Sequence, residues 1–179
     1  MRHRFQAEQW LPFPIEDVFR FFSKPDNLPK LMPRWQHARI EKMQLVPPPL
    51  PDPDKDAALA GAGSRILLSF RPFPLCPVRL RWDAQIAEFA WNQHFSDLQI
   101  KGPFAYWLHR HSVQSSASNG PTGPGILGTL LHDEVTYEIP LGALGAVANT
   151  LFVRHQLRRM FAYRQARTLE LLSAGKHSR

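Results

Sequence analysis

Several things are scarce in this sequence. Cys76 is the only cysteine among 179 residues, so no disulfide framework and no thiolate metal site can form within the chain. No apolar run approaches the ~20 residues that cross a bilayer as a helix. Residues 1–8, MRHRFQAE, lack the apolar stretch of a secretory signal. The expectation is a cytoplasmic protein without stable membrane insertion. There is no glycine-rich phosphate loop, no nucleophile elbow and no internal repeat, which removes sequence support for phosphate cradling and for serine hydrolysis. Acidic residues are nearly absent from the C-terminal end. Residues 150–179 carry seven Lys and Arg against Glu170 alone, while residues 1–149 carry 15 against 14. The formal charge of +7 therefore belongs to one segment. A basic helix face is usually solvated, its cations complementing the macrodipole; contact with an acidic partner is the alternative. No nucleic-acid partner is expected, because no recognition motif is present and the aromatics fall on predicted core faces.

What is present is a core-forming composition, 44% hydrophobic and 21% charged, at a length that suits one domain over 1–179. Residues 2–10 alternate as a strand, with His3, Phe5, Ala7 and Gln9 on one side. Pro14 is placed to open a helix over 14–23, with Glu16 and Asp17 in its first turn and Ile15, Val18, Phe19 and Phe22 at helical spacing. One more helical turn is expected over 26–30, then a strand over 34–46. Five prolines fall within 47–53, which precludes helix and ladder pairing. Residues 47–61 are therefore expected as a polyproline-like excursion between strands. Further strands are predicted over 64–73, 78–89, 94–101, 105–115 and 125–139, with a flexible hairpin loop over 116–125. Residues 141–172 contain no proline and predict one long helix, with 173–179 a disordered tail. Strands joined by turns give an antiparallel meander. One face of about seven strands needs cover, and the last helix is the only large element available. A curved sheet gripping a helix rarely fills its concave side, so a ligand cavity between them is expected.

Three stretches carry a family likeness: WLPFPIEDVFRFFSKPDNL over 10–28, FSDLQIKGPFAYWLHRH over 95–111, and DEVTYEIPLG over 133–142. Together they resemble the SRPBCC, or START-like, superfamily, and within it the bacterial ligand-binding group that is polyketide cyclase/dehydrase-like. The shared patterns are P-x-x-x-V-F-x-F followed by P-x-N-L, the F-x-D-x-Q…G-P…W-x-H-x-H hairpin, and a last strand running into the long helix. The likeness covers nearly the whole chain except the proline-rich loop. It implies an α+β helix-grip fold: a curved antiparallel sheet of about seven strands around a long C-terminal helix, with two short helices after the first strand. It also implies a hydrophobic small-molecule ligand, whether lipid, polyketide-like or aromatic. It leaves open whether a reaction follows, because the superfamily holds cyclases, lipid-transfer domains and receptors alike.

The hairpin over 95–111 is the most informative stretch for a site. Alternate residues of a strand share a face, so Trp107, His109 and His111 lie together, as do Phe95, Asp97 and Gln99. With both sets pointing inward, the cavity receives two imidazoles, a carboxylate and an amide, none of which can be buried unpaired. A mutually satisfied network is one reading. The other is a polar end to an apolar pocket, with His109 or His111 as general base and Asp97 as its orienter in a cyclase- or dehydratase-type reaction. Asp97, His109 and His111 could also supply three metal ligands. An H-x-H spacing is a weak signal alone, and no metal or other cofactor is expected. Trp35, Trp82, Phe95, Gln99, Trp107, Tyr137 and Leu151 complete the expected ligand-binding set. Asp133 and Glu134, adjacent on a strand, point to opposite faces and cannot act as an acid/base pair.

Overall fold

The structure, a computed structural model, describes residues 1–49, 58–117, 125–140 and 152–176. Seven strands are present: β1 (Arg2–Leu11), β2 (Arg39–Gln44), β3 (Arg65–Phe70), β4 (Leu80–Ala90), β5 (His94–Lys101), β6 (Tyr106–Ala117) and β7 (Leu127–Glu138). They form one antiparallel sheet in the order β1-β7-β6-β5-β4-β3-β2. Helix α1 (Ile15–Ser23) and three single 3-10 turns, Pro25–Asn27, Pro29–Leu31 and Arg34–Gln36, separate β1 from β2. Helix α2 (Arg154–Lys176) is the last described element. This is the helix-grip arrangement that the family resemblance implies.

The prolines after Leu11 lift the chain off the sheet into α1. β1 therefore pairs with the last strand, from Arg2↔Glu138 to Leu11↔Thr129, and β2 becomes the opposite edge. Curvature comes from broken register. The β2–β3 ladder shifts between Ile40 and Lys42, and the β4–β5 ladder shifts between Asp83 and Ala84 and again between Ile86 and Glu88. Each bulge adds local twist and bend. The last one also turns Phe89 to the same side as Ile86, an odd spacing that a regular strand forbids. Both then pack around Phe19 of α1, with Ala60, Ile66 and Phe95.

Helix α2 lies across the other end of the concave face. Its Leu157 and Phe161 pack on Trp107, Val135 and Tyr137. Its Leu172 packs on Leu11, Phe13, Val18 and Leu131. A reciprocal pair of bonds ties it to β1: Gln9 Nε2 donates to the Gln165 carbonyl at 2.9 Å, and Gln165 Nε2 donates to the Glu8 carbonyl at 2.9 Å. No helix among the described residues is long and apolar enough to cross a membrane. Of the basic residues on α2, Arg154, Arg158 and Arg159 are exposed, Arg167 pairs with Glu170 at 2.6 Å, and Arg164 turns inward.

Three predicted boundaries are corrected. Residues 34–36 form a 3-10 turn, not strand, because Pro33 precedes them and His37 takes a left-handed conformation with φ 46°. β2 therefore starts only at Arg39. β4 starts at Leu80, and Val78, beside Pro77, is 59% exposed. The helix continues to Lys176 through most of the predicted tail, while its predicted beginning over 141–151 lies outside the described residues. The proline-rich excursion is anchored at both described ends. Gly61 N–H donates to Val46 O at 2.9 Å, Ala60 N–H to Ser23 O at 3.0 Å, and Trp91 Nε1 to Pro49 O at 2.6 Å.

Gly128 marks where β7 crosses the end of β1. A Cβ there would collide with the Leu11 carbonyl oxygen and stand 2.7 Å from Trp10 Cζ2. Leu11 is fully buried and its carbonyl already accepts from Phe13 N–H at 2.8 Å, so the backbone has nowhere to move. Gly128→Ala is expected to cost about 1–3 kcal/mol, read as a fall of several degrees in Tm by circular dichroism. An unchanged Tm would show that this strand end is free to shift.

Candidate functional site

A cavity of about 330 Å³ lies between the concave face, α1 and α2. Phe70, Trp82, Ile86 and Trp107 face it from the sheet, and Leu157 and Phe161 from α2. Phe73 and Phe152 also line it, are 46% and 47% exposed, and meet with ring centroids 5.4 Å apart. They mark its open side. Against these apolar walls stand Asp97 of β5, His109 and His111 of β6, and Arg164 of α2.

Behind the two histidines is Asp133 of β7, 2% exposed and off the cavity wall. It is the direct cross-strand partner of His111, as Asp97 is of His109. His109 Nε2 lies 3.0 Å from Asp133 Oδ1 in a buried hydrogen bond. His111 Nδ1 comes to 2.6 Å of the same oxygen but without hydrogen-bond direction. On the cavity side, Asp97 Oδ2 is 3.6 Å from His109 Nδ1 and 3.8 Å from His111 Nε2. Each imidazole thus turns one nitrogen to Asp133 and the other to Asp97. Aromatic neighbours fix the rings. His111 stacks on Phe95 at 4.5 Å and on Phe22 at 5.7 Å, and Phe161 meets His109 edge-on at 5.5 Å.

The electrostatics follow from this layering. Burial works to raise the Asp133 carboxyl, but the pull of His111 and the hydrogen bond from His109 outweigh it and hold the carboxyl well below the usual range. Asp133 is then ionised and can only accept, so His109 Nε2 carries the proton of that bond. Burial, joined by repulsion from His109, pushes His111 down to about 3 against the attraction of Asp133; His111 is neutral at pH 7. Burial raises the Asp97 carboxyl against the attraction of His109 and Arg164, and the charge on Asp133 adds to the rise. The 22% of the Asp97 side chain that remains exposed opens on the cavity.

Of the residues expected at the site, Trp82, Phe95, Asp97, Trp107, His109 and His111 line the cavity. Gln99 does not: its Nε2 donates to Phe104 O at 2.8 Å, closing the turn between β5 and β6. Tyr137 is 1% exposed and packs among His3, Phe104 and Trp107, off the cavity wall. Trp35 is displaced by its neighbour. The turn at Arg34–Gln36 presents Gln36, 2% exposed, to the cavity instead. Leu151 lies outside the described residues. The orienting carboxylate of His109 is Asp133, not Asp97, which is beyond hydrogen-bond distance. Asp133, Arg164 and Gln36 are the site residues that sequence reasoning missed. Parity along β7 places Asp133 with Val135 and Tyr137. Arg164 interrupts the apolar series Leu157, Phe161, Thr168 at helical spacing. Gln36 sits in an aperiodic turn and gives no signal. Among the described residues, Asp97, His109 and His111 are also a group whose potential metal-ligand atoms converge, all within 4.8 Å of one another.

No protein-family model matches the sequence, and no curated protein matches it either. Solved structures do. TTHA0849 from Thermus thermophilus superposes with a TM-score of 0.63 at 17% identity, over 97% of this chain and 99% of that one. Norcoclaurine synthase from Thalictrum flavum, in complex with dopamine and hydroxybenzaldehyde, gives 0.56 at 16% identity, over 95% and 88%. Ara h 8.0201 gives 0.54 at 14% identity, over 95% and 99%. At such identities the likeness is one of fold: these are helix-grip structures of the SRPBCC type, and this chain shares that architecture.

The raised Asp97 carboxyl has a consequence for stability. A group whose folded pKa lies above its unfolded value contributes most below the unfolded value, and that contribution is lost as pH rises through the folded value. At pH 7, Asp97 therefore weakens the fold, facing Asp133, His109, His111 and Arg164. In chelator-treated protein, Asp97→Asn is expected to raise stability at pH 7 by about 1 kcal/mol, or ~2–4 °C in Tm for a chain of this size. The gain should shrink as pH falls toward the carboxylate range. A lower Tm for the variant at pH 7 would contradict the assignment.

Proposed function

We propose that the chain binds a small hydrophobic molecule in this cavity, with a polar group of the ligand turned to Asp97, His109 and His111. One observation carries the reading: an apolar cavity whose ionisable groups are gathered in one cluster instead of scattered around the wall. Natural ligand pockets combine apolar walls with a few convergent polar groups in this way. The volume of about 330 Å³ is at the small end of the ~300–1,000 Å³ range of such pockets. It suits a compound of one or a few rings better than a long-chain lipid. Dopamine and hydroxybenzaldehyde, bound in the norcoclaurine synthase structure on the same fold, are of that size and support an aromatic or polyketide-like ligand.

The bond from His109 to Asp133 favours a second reading, an enzyme on the same cavity. A buried carboxylate that holds one imidazole nitrogen leaves the other aimed at the ligand, the arrangement of an oriented general base. His109 would then take or return a proton in a cyclase- or dehydratase-type step, with Asp133 as its orienter.

Ala84 of β4 lines the cavity, and replacing it with tryptophan fills the space. Wild-type protein is expected to bind one equivalent of an aromatic probe such as anilinonaphthalene sulfonate, and Ala84→Trp to bind it at least tenfold more weakly with an unchanged circular dichroism spectrum. Equal binding by both would place the probe elsewhere and remove the support for this cavity. For any compound the protein converts, His109→Ala is expected to cut kcat about 10²-fold or more while binding persists. Turnover that survives the change would leave the carrier reading standing and sink the enzymatic one.

A further inference from the structure

The position of Asp133 changes what the cluster can hold. We propose that Asp97 Oδ2, His109 Nδ1 and His111 Nε2 form a site for one divalent transition-metal ion, zinc(II) or iron(II), at the polar end of the cavity. This goes beyond the binding of a hydrophobic ligand and does not depend on it.

The donor set comes first. Two imidazoles and a carboxylate place their ligand atoms within 4.8 Å of one another, with Asp97 Oδ2 at 3.6 Å and 3.8 Å from the two nitrogens. An ion ~2.0–2.1 Å from tetrahedral ligands holds them ~3.4 Å apart; the two Asp97 contacts need a few tenths of an ångström, and the two ring nitrogens, within 4.8 Å of each other, close by up to about 1.4 Å through rotation of the rings. Mixed nitrogen and oxygen donors without thiolate suit zinc or iron(II).

Tautomer and support come second. A metal needs a bare ring nitrogen, and a metal-bound histidine characteristically donates its other N–H to a carboxylate that fixes its orientation. With Nε2 donating to Asp133, the neutral form of His109 offers Nδ1, which faces Asp97, to a metal. His111 turns Nδ1 to within 2.6 Å of the same Asp133 oxygen and Nε2 toward Asp97. One buried carboxylate thus backs His109 by a hydrogen bond and stands against His111 Nδ1, which a small ring rotation would bring into the same support. Adjacent strands β5, β6 and β7 hold all four residues in cross-strand register, and aromatic stacking fixes the rings.

Charge and access come third. Among the described residues, no lysine or arginine reaches ion-pair distance of Asp97, and Arg164 lies instead over the rings of Phe22 and Phe161 at 5.3 Å and 6.0 Å. Asp97 and Asp133 carry two negative charges when ionised, which Arg164 on the same wall only partly offsets, so the cluster keeps net negative charge for a cation. All three proposed ligands line the cavity, so a fourth coordination position would open on the cavity. There the ion could polarise a carbonyl or hydroxyl oxygen.

The test uses the full chain, prepared without a metal-affinity tag and stripped with chelator, then titrated with cobalt(II) and followed by visible absorption. One equivalent should bind with the d–d bands of a low-coordinate site, and zinc(II) should displace it. Asp97→Asn and His111→Gln are expected to weaken cobalt binding at least 100-fold, and Asp133→Asn 10- to 100-fold through loss of support. His132→Gln, a half-buried histidine beside Glu8 and away from the cavity wall, should leave it unchanged. Circular dichroism on each variant verifies the fold, and Asp97→Ala replaces any variant that fails it. Absence of d–d bands in the wild type, or equal binding by wild type and a folded Asp97 variant, would overturn the proposal. Titrating the same samples with the aromatic probe keeps that result separate from a failure of hydrophobic-ligand binding.

Discussion

A carboxylate at 2% exposure in the interior of a sheet must be held by something, and here a hydrogen bond from His109 holds it, with His111 packed against the same oxygen. Asp133 sits on β7, between β1 and β6, with the ladder to β6 placing His111 opposite it and His109 two residues along. Removing one partner from a buried charge of this kind typically costs ~3–5 kcal/mol. The register of β6 against β7 is therefore specified chemically as well as by apolar alternation. A slip of one residue would carry Asp133 to the outer face and bring Glu134 inward. Glu134 now pairs outside with Arg4 at 2.8 Å and accepts from Gln6 at 3.0 Å. With Asp133 fixed, the remaining ring nitrogens have one direction to point, toward Asp97 and the cavity.

The cavity itself results from two surfaces that do not match. The bulges bend the sheet, and α2 touches it mainly through Leu157, Phe161 and Leu172. Packed clusters form at either side, around Phe19 and around Trp107, and the space between them stays open. Arg164 enters that space from the helix with its guanidinium over aromatic rings, and its Nε has no hydrogen-bond partner. Gln36 adds an amide oxygen in the same condition to the cavity lining. Natural proteins rarely leave such groups unpaired in their interiors. Both lie where a bound molecule would meet them.

Much of this is legible in the residues. The fold follows from turn-punctuated alternation and one proline-free C-terminal stretch. The inward histidines follow from strand parity in Trp107, His109 and His111. What escapes has a physical reason in each case. Trp35 reads as a strand residue, but Pro33 and the left-handed His37 make a turn of its neighbourhood. Gln99 shares the inward face of Asp97 but is consumed by the Phe104 carbonyl, a local bond that parity cannot foresee. Asp133 reads as half of a carboxylate pair with Glu134. That pair is indeed split between faces, yet the split is what leaves Asp133 alone inside to meet the histidines. The basic segment reads differently too, since Arg164 serves the cavity and Arg167 pairs with Glu170.

The claim on which the rest turns is that Asp133 sets the direction of His109. Long-range proton–nitrogen correlation spectra of the full chain, labelled at histidine, stripped of metal and held at neutral pH, read it directly. The account predicts a hydrogen-bonded, slowly exchanging proton on His109 Nε2 that is lost in Asp133→Asn. A proton found on Nδ1 with Nε2 bare, or an Nε2 signal indifferent to Asp133→Asn, would contradict it.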